Sequence, residues 1–533
     1  MSRLSFSIAG GDYEQAGSAS GGLKEQLKRI GVAADLIRRV MVAAYEAEMN
    51  VVIHANGGTM QAVLDKSRID VEVADHGPGI PNIALAMTEG YSTAPPKARE
   101  FGFGAGLGLP NIRRATDRFT VESTVGVGTR IRFTIFLHPA EASGPQPGPA
   151  RNSLAIHPLR CTECLACLHA CPTRAMRLRD HKPAVLDYLC VDCTNCLEAC
   201  RFGALGVAGT CETIHAAGDT VLVVSPPFVA QFDVNEPTRV LDALRSLGFG
   251  EVRLTAGDET ALRSALLAEA SKCSDDRLPL LSPVCPAVVN LVATKFPSLL
   301  DHVAPFLSPM ESVREELTGR RVVFLAICPS QATVLADGRG PALADVVLPA
   351  TLAAPIRPHL PTGRRDIKVS EPADRPSTVA VSPRVLRVTG MRHVLNVLEM
   401  IENRLIREPD VLELYACDEG CFGSPLLKED AFVARRRWQQ SSQAASNESA
   451  KVPVSARPRK VPLRARPGVR LDDDMSAAIR KLGEIEKVLA TLPGKDCGLC
   501  GCPTCATLAE DIVLGRSTLQ ACANRTDPRR KTP

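Results

Sequence analysis

The spacing of the cysteines constrains this chain more than any other feature of its sequence. The 533 residues include nineteen cysteines, and eight of them form two runs with the same C-x2-C-x2-C-x3-C spacing. The runs are Cys161, Cys164, Cys167 and Cys171, followed by Cys190, Cys193, Cys196 and Cys200. A 4Fe–4S cluster needs four thiolates around one cube, and cysteines two residues apart in a loop surround three of its corners. The doubled run therefore predicts two clusters in one small unit.

Residues 155–208, which contain both runs, resemble a bacterial two-cluster ferredoxin. The resemblance implies that each cluster takes its fourth ligand from the other run. One cluster would then be held by Cys161, Cys164, Cys167 and Cys200, and the other by Cys190, Cys193, Cys196 and Cys171. A pair of zinc ribbons is the alternative, because their C-x2-C pairs look similar. The array of eight thiolates, with Pro172 directly after Cys171, favours the clusters.

The overall composition is that of a globular protein with about three to four domains. Hydrophobic residues make up 45% of the chain and charged residues 23%, and the net charge of +4 gives no support for binding to nucleic acid or to an anionic membrane. The sequence begins without a signal peptide and contains no run of eighteen apolar residues, so we expect no membrane span. Cluster thiolates need a reducing compartment. We therefore expect a cytoplasmic protein in a cell that spends time without oxygen.

Three polar residues near the N-terminus are spaced four apart. Glu46, Asn50 and His54 share one face of an expected helix. The side-chain oxygen of Asn50 suits Mg²⁺, which prefers hard ligands. Glu46 is the candidate catalytic residue, as a base or as the group that positions a hydroxyl or a water.

Glycine-rich segments follow this helix. An alternating strand ends at Asp75, whose carboxylate can accept a hydrogen bond from the amino group of adenine. Glycines allow the chain to turn tightly beside the base, and a later glycine run can offer backbone N–H groups to phosphates. The candidate residues for nucleotide and Mg²⁺ are Asn50, Asp75, Gly77, Gly79, Gly102, Gly104, Gly106, Gly108 and Thr129.

In this order, these segments resemble the GHKL ATPases, the α/β-sandwich family of histidine kinases, gyrase B and Hsp90. The resemblance covers residues 20–138 of a domain that we place at 1–138, before a linker at 139–154. The E-x3-N-x3-H box at Glu46 is most similar to the anti-sigma-factor serine kinases. The resemblance implies that Asn50 holds Mg²⁺, that Asp75 reads adenine, and that glycines 102–108 form a lid over ATP.

Four more cysteines lie in a region where strands alternate with helices, a pattern that predicts parallel α/β packing. Residues 219–427 resemble the two-lobed large-subunit domain of iron-only hydrogenases, and the residues that match its cubane ligands are Cys285, Cys328, Cys417 and Cys421. Val284 replaces a proton-relaying cysteine of that family, Gln331 a lysine and Val334 a glutamate. A valine carries no proton and a glutamine supplies no cationic donor. Hydrogenase activity is therefore not expected.

The C-terminal residues 475–525 contain another cysteine group. Its members follow C-x2-C-x4-C-x16-C and are Cys497, Cys500, Cys505 and Cys522. The segment resembles a small helical 4Fe–4S domain found in corrinoid proteins, with zinc as the alternative. Cys502 is a spare cysteine, with either a structural role or the role of a weak alternative ligand. Residues 428–474 are polar and then basic, which predicts a disordered linker.

The sequence thus predicts a multidomain α+β and α/β protein with about four 4Fe–4S clusters, ATP and Mg²⁺. Our first hypothesis is a redox-responsive regulator, sensitive to hydrogen through a partner hydrogenase, whose clusters control an anti-sigma-type Ser/Thr kinase. Its protein partner would resemble an anti-sigma-factor antagonist. The alternative is an ATP-gated electron-transfer protein that feeds a partner reductase or hydrogenase, and a hydrogenase of altered mechanism is a third hypothesis. The sequence leaves open whether the phosphate passes to a protein or to water.

Overall fold

The computed structural model divides the chain into two compact units. The first unit comprises residues 1–146 and 467–533, and the second comprises residues 147–466. The structure describes residues 2–13, 15–95, 98, 106–137, 154–208, 217–233, 236–274, 277–336, 344–360, 384–403, 405–406, 408–445, 455–466, 468 and 470–524.

The first unit is an α/β sandwich built on one antiparallel sheet. Its strands, in the spatial order β1-β2-β3-β5-β4, are β1 (Ser2–Ala9), β2 (Gly57–Leu64), β3 (Arg68–Asp75), β4 (Arg118–Thr124) and β5 (Gly128–Phe136). Its helices, numbered along the whole chain, are α1 (Ser18–Arg29), α2 (Ala34–His54), α3 (Ile83–Ala86), α4 (Gly108–Ala115), α16 (Met475–Leu489) and α17 (Cys505–Val513), with a 3-10 turn at Leu519–Ala521.

The sequence patterns explain the central elements of this sheet. In β3, Ile69, Val71 and Val73 alternate with more exposed residues and are buried. This alternation is expected for a strand with one face against a core. Helix α2 covers that face with an apolar stripe.

The C-terminal helices share the hydrophobic core of the first unit. Leu482 of α16 and Leu508 of α17 are 1% and 0% exposed, and they belong to the same cluster of buried side chains as Leu23 and Leu27 of α1. Helix α16 packs against α1 and β1. The predicted C-terminal domain at 475–525 is therefore not a separate body, because its amphipathic helices bury their apolar faces on the ATPase-like fold.

The second unit begins with the two-run module, which comprises residues 154–208 and contains both cysteine runs. Two short antiparallel hairpin-like pairs frame it: β6 (Leu154–Ile156) with β9 (Leu205–Val207), and β7 (Met176–Arg179) with β8 (Lys182–Val185). A 3-10 turn (Pro158–Arg160) precedes the first run, and helices α5 (Ala166–Ala170) and α6 (Asn195–Ala199) each begin inside a run. The left-handed residues Glu163 and Leu165 recur as Asp192 and Thr194, so both runs have the same loop conformation.

The rest of the second unit contains two parallel sheets, as the alternating pattern predicts. One has the order β11-β10-β13-β14, formed by β10 (Val221–Val224), β11 (Glu251–Leu254), β13 (Val322–Leu325) and β14 (Ala344–Val347). The other has the order β12-β16-β15, formed by β12 (Leu280–Leu281), β15 (Val385–Thr389) and β16 (Val411–Tyr415).

Helices and 3-10 turns surround both parallel sheets. The helices are α7 (Pro226–Val229), α8 (Pro237–Arg245), α9 (Ala256–Ala270), α10 (Pro286–Lys295), α11 (Pro309–Glu316), α12 (Pro329–Ala336), α13 (Pro349–Ile356), α14 (Met391–Glu402) and α15 (Ala431–Ala445). The 3-10 turns are Pro297–His302, Arg357–His359 and Gly420–Gly423.

Part of the predicted disordered linker at 428–474 is ordered. Residues 431–445 form α15. The side chain of Ala434 in this helix is 0% exposed and packs within the second unit. Residues 455–466 lie along the same unit: the N–H of Leu307 donates to the carbonyl of Arg457, and the Arg459 guanidinium pairs with Glu311 at 3.0 Å. The basic composition that predicted disorder instead supplies cations for acidic side chains, so the prediction is wrong for these two segments.

Candidate functional site

Helix α2 places the predicted catalytic and Mg²⁺-binding side chains together. The Nδ2 of Asn111 donates to the Oε1 of Glu46 at 2.6 Å. Burial raises the pKa of Glu46, and the hydrogen bond from Asn111 opposes that shift. The Nδ2 of Asn50 is buried and has no hydrogen-bond partner among the described residues. An unpaired buried amide is costly, so this group is suited to meet a ligand.

Gly108 begins α4 directly against these side chains. A Cβ atom at this position would lie 3.4 Å from the Oδ1 of Asn50 and 3.4 Å from the Oε2 of Glu46. Asn111, three residues further along α4, is a site residue that sequence reasoning missed. The sequence feature that could have identified Asn111 is its position in the helical turn that follows the glycine run. The predicted residues Gly102 and Gly104 lie outside the described residues, and Gly106 has a φ of +72°.

Asp75 organises the other side of this site. Its Oδ1 accepts hydrogen bonds from the backbone N–H of Gly77 at 2.7 Å and of Thr129 at 3.2 Å. Gly79 has a φ of +74°, and a Cβ there would come within 2.4 Å of the carbonyl oxygen of Thr124. Only glycine fits that turn. Burial lowers the pKa of His54, and the charge of Asp75 opposes that shift. The structure therefore brings the end of α2 close to the end of β3.

Four thiols of the two-run module line one cavity of about 450 Å³. They are Cys161, Cys164, Cys167 and Cys200. Burial raises the pKa of Cys167 to about 11, and the nearby thiols of Cys200, Cys161 and Cys164 add to this shift. Buried thiols of raised pKa ionise readily only beside a metal, which stabilises the thiolate. The cavity therefore has the donor set that a cluster requires.

The other four thiols of this module lie together as well. Burial raises the pKa of Cys196, and the charges of the thiols of Cys171, Cys190 and Cys167 raise it further. Burial also raises the pKa of Cys190, with Cys193 and Cys171 among the smaller contributors. Cys171 thus lies with the second run rather than with its own. The contribution of Cys167 to Cys196 indicates that the two groups are neighbours.

A third group of thiols gathers beyond the strands of the parallel sheets. Burial raises the pKa of Cys421, and the charges of Cys285, Cys328 and Cys417 raise it further. Burial raises the pKa of Cys417 to about 12. The Oγ1 of Thr194, which lies between two cysteines of the second run, is 3.6 Å from the Sγ of Cys417. The second and third thiol groups are therefore adjacent.

The C-terminal cysteines lie around the start of α17. The backbone N–H of Cys505 donates to Asp496 at 2.6 Å, and the Nδ2 of Asn524 lies 3.3 Å from the Sγ of Cys497. Cys500 and Cys522 are partly buried against the same core. Cys502 is 0% exposed, and its Sγ lies 3.4 Å from the Oδ2 of the equally buried Asp511. These contacts support the structural interpretation of Cys502.

Within the described residues, no three His, Cys, Asp or Glu side chains converge closely enough to hold a single metal ion. Across the same part of the chain, none of the helices is both long and apolar enough to cross a membrane.

Comparison with known protein families gives four matches. Residues 11–135 match the Histidine kinase-like ATPase domain, and residues 153–201 match the 4Fe-4S dicluster domain. Residues 219–316 match the Iron only hydrogenase large subunit, C-terminal domain, and residues 492–523 match a family described as an Fe-S cluster domain. The chain therefore joins an anti-sigma kinase-like ATPase domain to three kinds of iron–sulfur domain.

The N-terminal domain has curated relatives of known class. It is 31% identical over 109 residues to the serine/threonine-protein kinase RsbT of Bacillus subtilis, which covers 20% of this chain and 76% of the relative. It is 32% identical over 106 residues to an anti-sigma F factor of a Thermoanaerobacter species, covering 19% of this chain and 71% of the relative. Over this domain, the chain belongs to the family of these anti-sigma-factor kinases.

Two solved hydrogenase structures align with part of the chain. An apo [FeFe]-hydrogenase of Chlamydomonas reinhardtii is 15% identical, with a TM-score of 0.32, and the match covers 50% of this chain and 88% of that one. An oxygen-inactivated [FeFe]-hydrogenase has a TM-score of 0.30 at 15% identity, covering 46% of this chain and 86% of the other.

Proposed function

We propose that the protein is a cytoplasmic, redox-responsive regulator whose iron–sulfur clusters control phosphate transfer from ATP to a Ser or Thr of a protein partner. The observation that supports this proposal is the packing of the C-terminal cysteine module into the core of the ATPase domain. A cluster in that module would lie in the same folded body as the nucleotide. Its charge or occupancy could then act on the nucleotide site without a second protein.

The contact between the module and the ATPase domain includes a largely buried ion pair. The Nη2 of Arg29 donates to the Oε2 of Glu510 at 2.8 Å, and their side chains are 9% and 14% exposed. The backbone N–H of Leu471 also donates to the carbonyl of Arg29 at 2.9 Å. Arg29 ends α1, while Glu510 lies on α17, five residues after the predicted ligand Cys505. A displacement of α17 would therefore also move the C-terminal end of α1.

The N-terminal end of α1 contacts the helix of the nucleotide site. Glu48 of α2 is 1% exposed, and its carboxylate accepts the backbone N–H groups of Gly17, Ala19 and Ser20 at 3.1, 3.0 and 2.9 Å. A carboxylate at a helix N-terminus satisfies unpaired donors and complements the helix dipole. Glu48 lies between Glu46 and Asn50 in sequence. Helix α1 thus connects the module, through residues in direct contact, to the helix that carries the nucleotide residues.

The nucleotide residues have the chemistry that the proposal needs. We propose that Asn50 holds Mg²⁺, that Asp75 reads the adenine base, and that the glycines at 77, 79 and 102–108, with Thr129, surround the nucleotide. ATP would supply the transferable γ-phosphate. Glu46 would accept or position the proton of the attacking hydroxyl, and its raised pKa moves its basicity towards neutral pH.

About four 4Fe–4S clusters complete the proposal. We assign the two of the dicluster domain to Cys161, Cys164, Cys167 and Cys200, and to Cys171, Cys190, Cys193 and Cys196. We assign the third to Cys285, Cys328, Cys417 and Cys421, and the C-terminal one to Cys497, Cys500, Cys505 and Cys522. Clustered thiols, most of them at least partly buried, suit cubane ligation, and clusters would supply reversible one-electron chemistry.

An ATP-gated electron-transfer protein is the second candidate. The three neighbouring thiol groups of the second unit favour it, because Cys167 lies near Cys196 and Thr194 lies near Cys417. Clusters in these positions would form a continuous series for electrons. In the regulator, the same series would collect electrons from a partner hydrogenase or reductase. The two functions differ in where the phosphate goes.

The test is phosphate transfer by the anaerobically reconstituted full chain. Protein with γ-labelled ATP is incubated with extract of its own cell, first oxidised and then reduced. The regulator predicts a labelled partner protein whose intensity changes with redox state. Free phosphate that rises with electron supply, without a labelled protein, would instead establish ATP-gated electron transfer.

A pair of variants locates the controlling cluster. Replacement of Cys500 and Cys522 by serine should remove the redox response and leave ATP binding intact. Cys273, which belongs to none of the assigned ligand sets, gives the matched control Cys273→Ser. If the response survived loss of the C-terminal cluster, control through α17 and α1 would be wrong, although transfer to a partner would stand.

A further inference from the structure

A second cavity lies in the hydrogenase-like part of the second unit. Its lining includes Ser225 and Thr255, which follow β10 and β11, and Tyr415, which ends β16. The cavity therefore lies at the carboxyl ends of both parallel sheets, where α/β folds collect ligands.

Two polar groups at this cavity lack protein partners. The Nε of Arg387 is buried and has no hydrogen-bond partner among the described residues. The Oγ of Ser225 is also buried without a hydrogen-bond partner among the described residues, and Ser225 is only 4% exposed. Buried donors without partners are costly, at about 1–3 kcal/mol each. Their position beside one cavity leaves both groups available to a ligand.

The Arg387 guanidinium is held in place by its surroundings. It lies 4.5 Å from the ring centroid of Tyr415, a distance at which cation and ring attract each other. A Cβ at Gly420 would come within 2.6 Å of the Nη2 of Arg387, so the side chain occupies space that only glycine leaves open. A cation fixed in this way is prepared to bind an anionic group.

The cavity also contains one acid that Arg387 does not neutralise. Glu259 of α9 lines the cavity, and none of the ion pairs between described residues joins it to Arg387 within 4.0 Å. Glu259 is exposed on its outer side, so its carboxylate is ionised and can pair with a cation that enters the cavity. The two charges face one cavity without pairing with each other.

The remaining walls are largely apolar. Val284, Met310 and Phe422 line the cavity, and the Oε1 of Gln331 is already occupied by the backbone N–H of Ile327 at 3.1 Å. The cavity combines one fixed cation, one acid, an unpaired hydroxyl and an apolar surface.

We propose that this cavity binds a small free α-amino acid with an apolar side chain. Arg387 and the hydroxyl of Ser225 would take its carboxylate, Glu259 its ammonium group, and Val284, Met310 and Phe422 its side chain. Because Cys421 also lines the cavity, the bound amino acid would lie beside the third thiol group. The hydrogenase-like domain would then be a metabolite-binding domain, whatever the kinase domain does.

Calorimetry on the anaerobically reconstituted full chain tests this proposal. The probes are alanine, valine and methionine, with propionate lacking the amine and propylamine lacking the carboxylate. The proposal expects at least one of the amino acids to bind with millimolar or tighter affinity, and both truncated probes to bind at least tenfold more weakly. Binding of propionate as tight as that of the amino acids would overturn the assignment, as would the absence of binding by all three amino acids.

Two variants and a control assign the charges. Arg387→Gln and Glu259→Gln should each weaken amino-acid binding at least tenfold, and Arg384→Gln, at a more exposed arginine that pairs with Asp410 outside the cavity lining, should not. Unchanged binding in either cavity variant would refute the proposal. If Arg387→Gln fails to fold, Arg387→Lys keeps the charge, and the probe series on the unaltered protein still decides.

Spectroscopy of the adjacent cluster gives a second readout. The electron paramagnetic resonance signal that Cys421→Ser removes should change when the amino acid is added to reduced protein. Infrared bands of iron-bound carbon monoxide or cyanide in protein from its own cell would show a diiron centre in the cavity and would overturn the proposal.

Discussion

The ion pair between Arg29 and Glu510 gives the sharpest prediction, because it joins the C-terminal module to the ATPase domain. Glu510→Gln preserves the volume of the side chain and removes its charge. The Arg29 guanidinium would keep its neighbour Gln26, whose Oε1 accepts from Nη1 at 3.0 Å, but would lose its buried anion. Glu486 remains near enough to influence Arg29 electrostatically.

The expected loss of stability follows from the burial of the pair. Breaking a fully buried ion pair by removing one partner costs about 3–5 kcal/mol. A hydrogen bond to a charged group contributes about 1.5–3 kcal/mol. Since both side chains retain slight exposure and glutamine can still accept a hydrogen bond, we expect a loss of about 2 kcal/mol. For a folded unit of this size, that loss lowers the Tm by about 4–8 °C.

Thermal unfolding of the reconstituted protein measures this effect. Glu484→Gln is the matched control, because Glu484 is exposed on α16 of the same module, and its Tm should change by less than about 1 °C. A double-mutant cycle with Arg29→Met isolates the pair. Equal Tm values for Glu510→Gln and the control would refute the reasoning. So would a coupling energy near zero, since the module would then not be fixed by this contact.

Three further predictions concern the ligand sites and pH. Asn50→Ala should abolish Mg²⁺-dependent ATP binding in calorimetry, while iron content stays unchanged. Cys417→Ser with Cys421→Ser should reduce the iron content by about four atoms per chain and spare ATP binding, because the affected thiols form one group; a loss of all iron would contradict separate sites. Glu259 is exposed on α9, so solvent screens its charge, and Glu259→Gln should change the Tm by less than about 1 °C across roughly pH 5–8.

The sequence predicted the parts of the fold that depend on local spacing. Glu46, Asn50 and His54 lie on one helix because a spacing of four residues follows the helical period. The first three thiols of each cysteine run lie together because their loops are short. The strand that ends at Asp75 could be predicted because its residues alternate between a buried and an exposed face.

These local patterns could not predict contacts between segments that are far apart in the sequence. Arg29 and Glu510 are 481 residues apart, and each reads in sequence as an ordinary charged residue on a helix surface. The segment 455–466 resembled a disordered linker because composition does not reveal which acids will pair with its cations. Arg387 reached the cavity from β15, a strand with no motif, so its role follows only from the folded arrangement.

The most direct test of the account is the dependence of protein phosphorylation on the redox state of the reconstituted chain. Labelled ATP, extract of its own cell, and protein poised first oxidised and then reduced are the only components required. The account predicts one labelled partner whose intensity changes with redox state in the unaltered protein and in Cys273→Ser, and no redox change after loss of Cys500 and Cys522. A labelled partner whose intensity is the same in both redox states would contradict control of the kinase by its clusters.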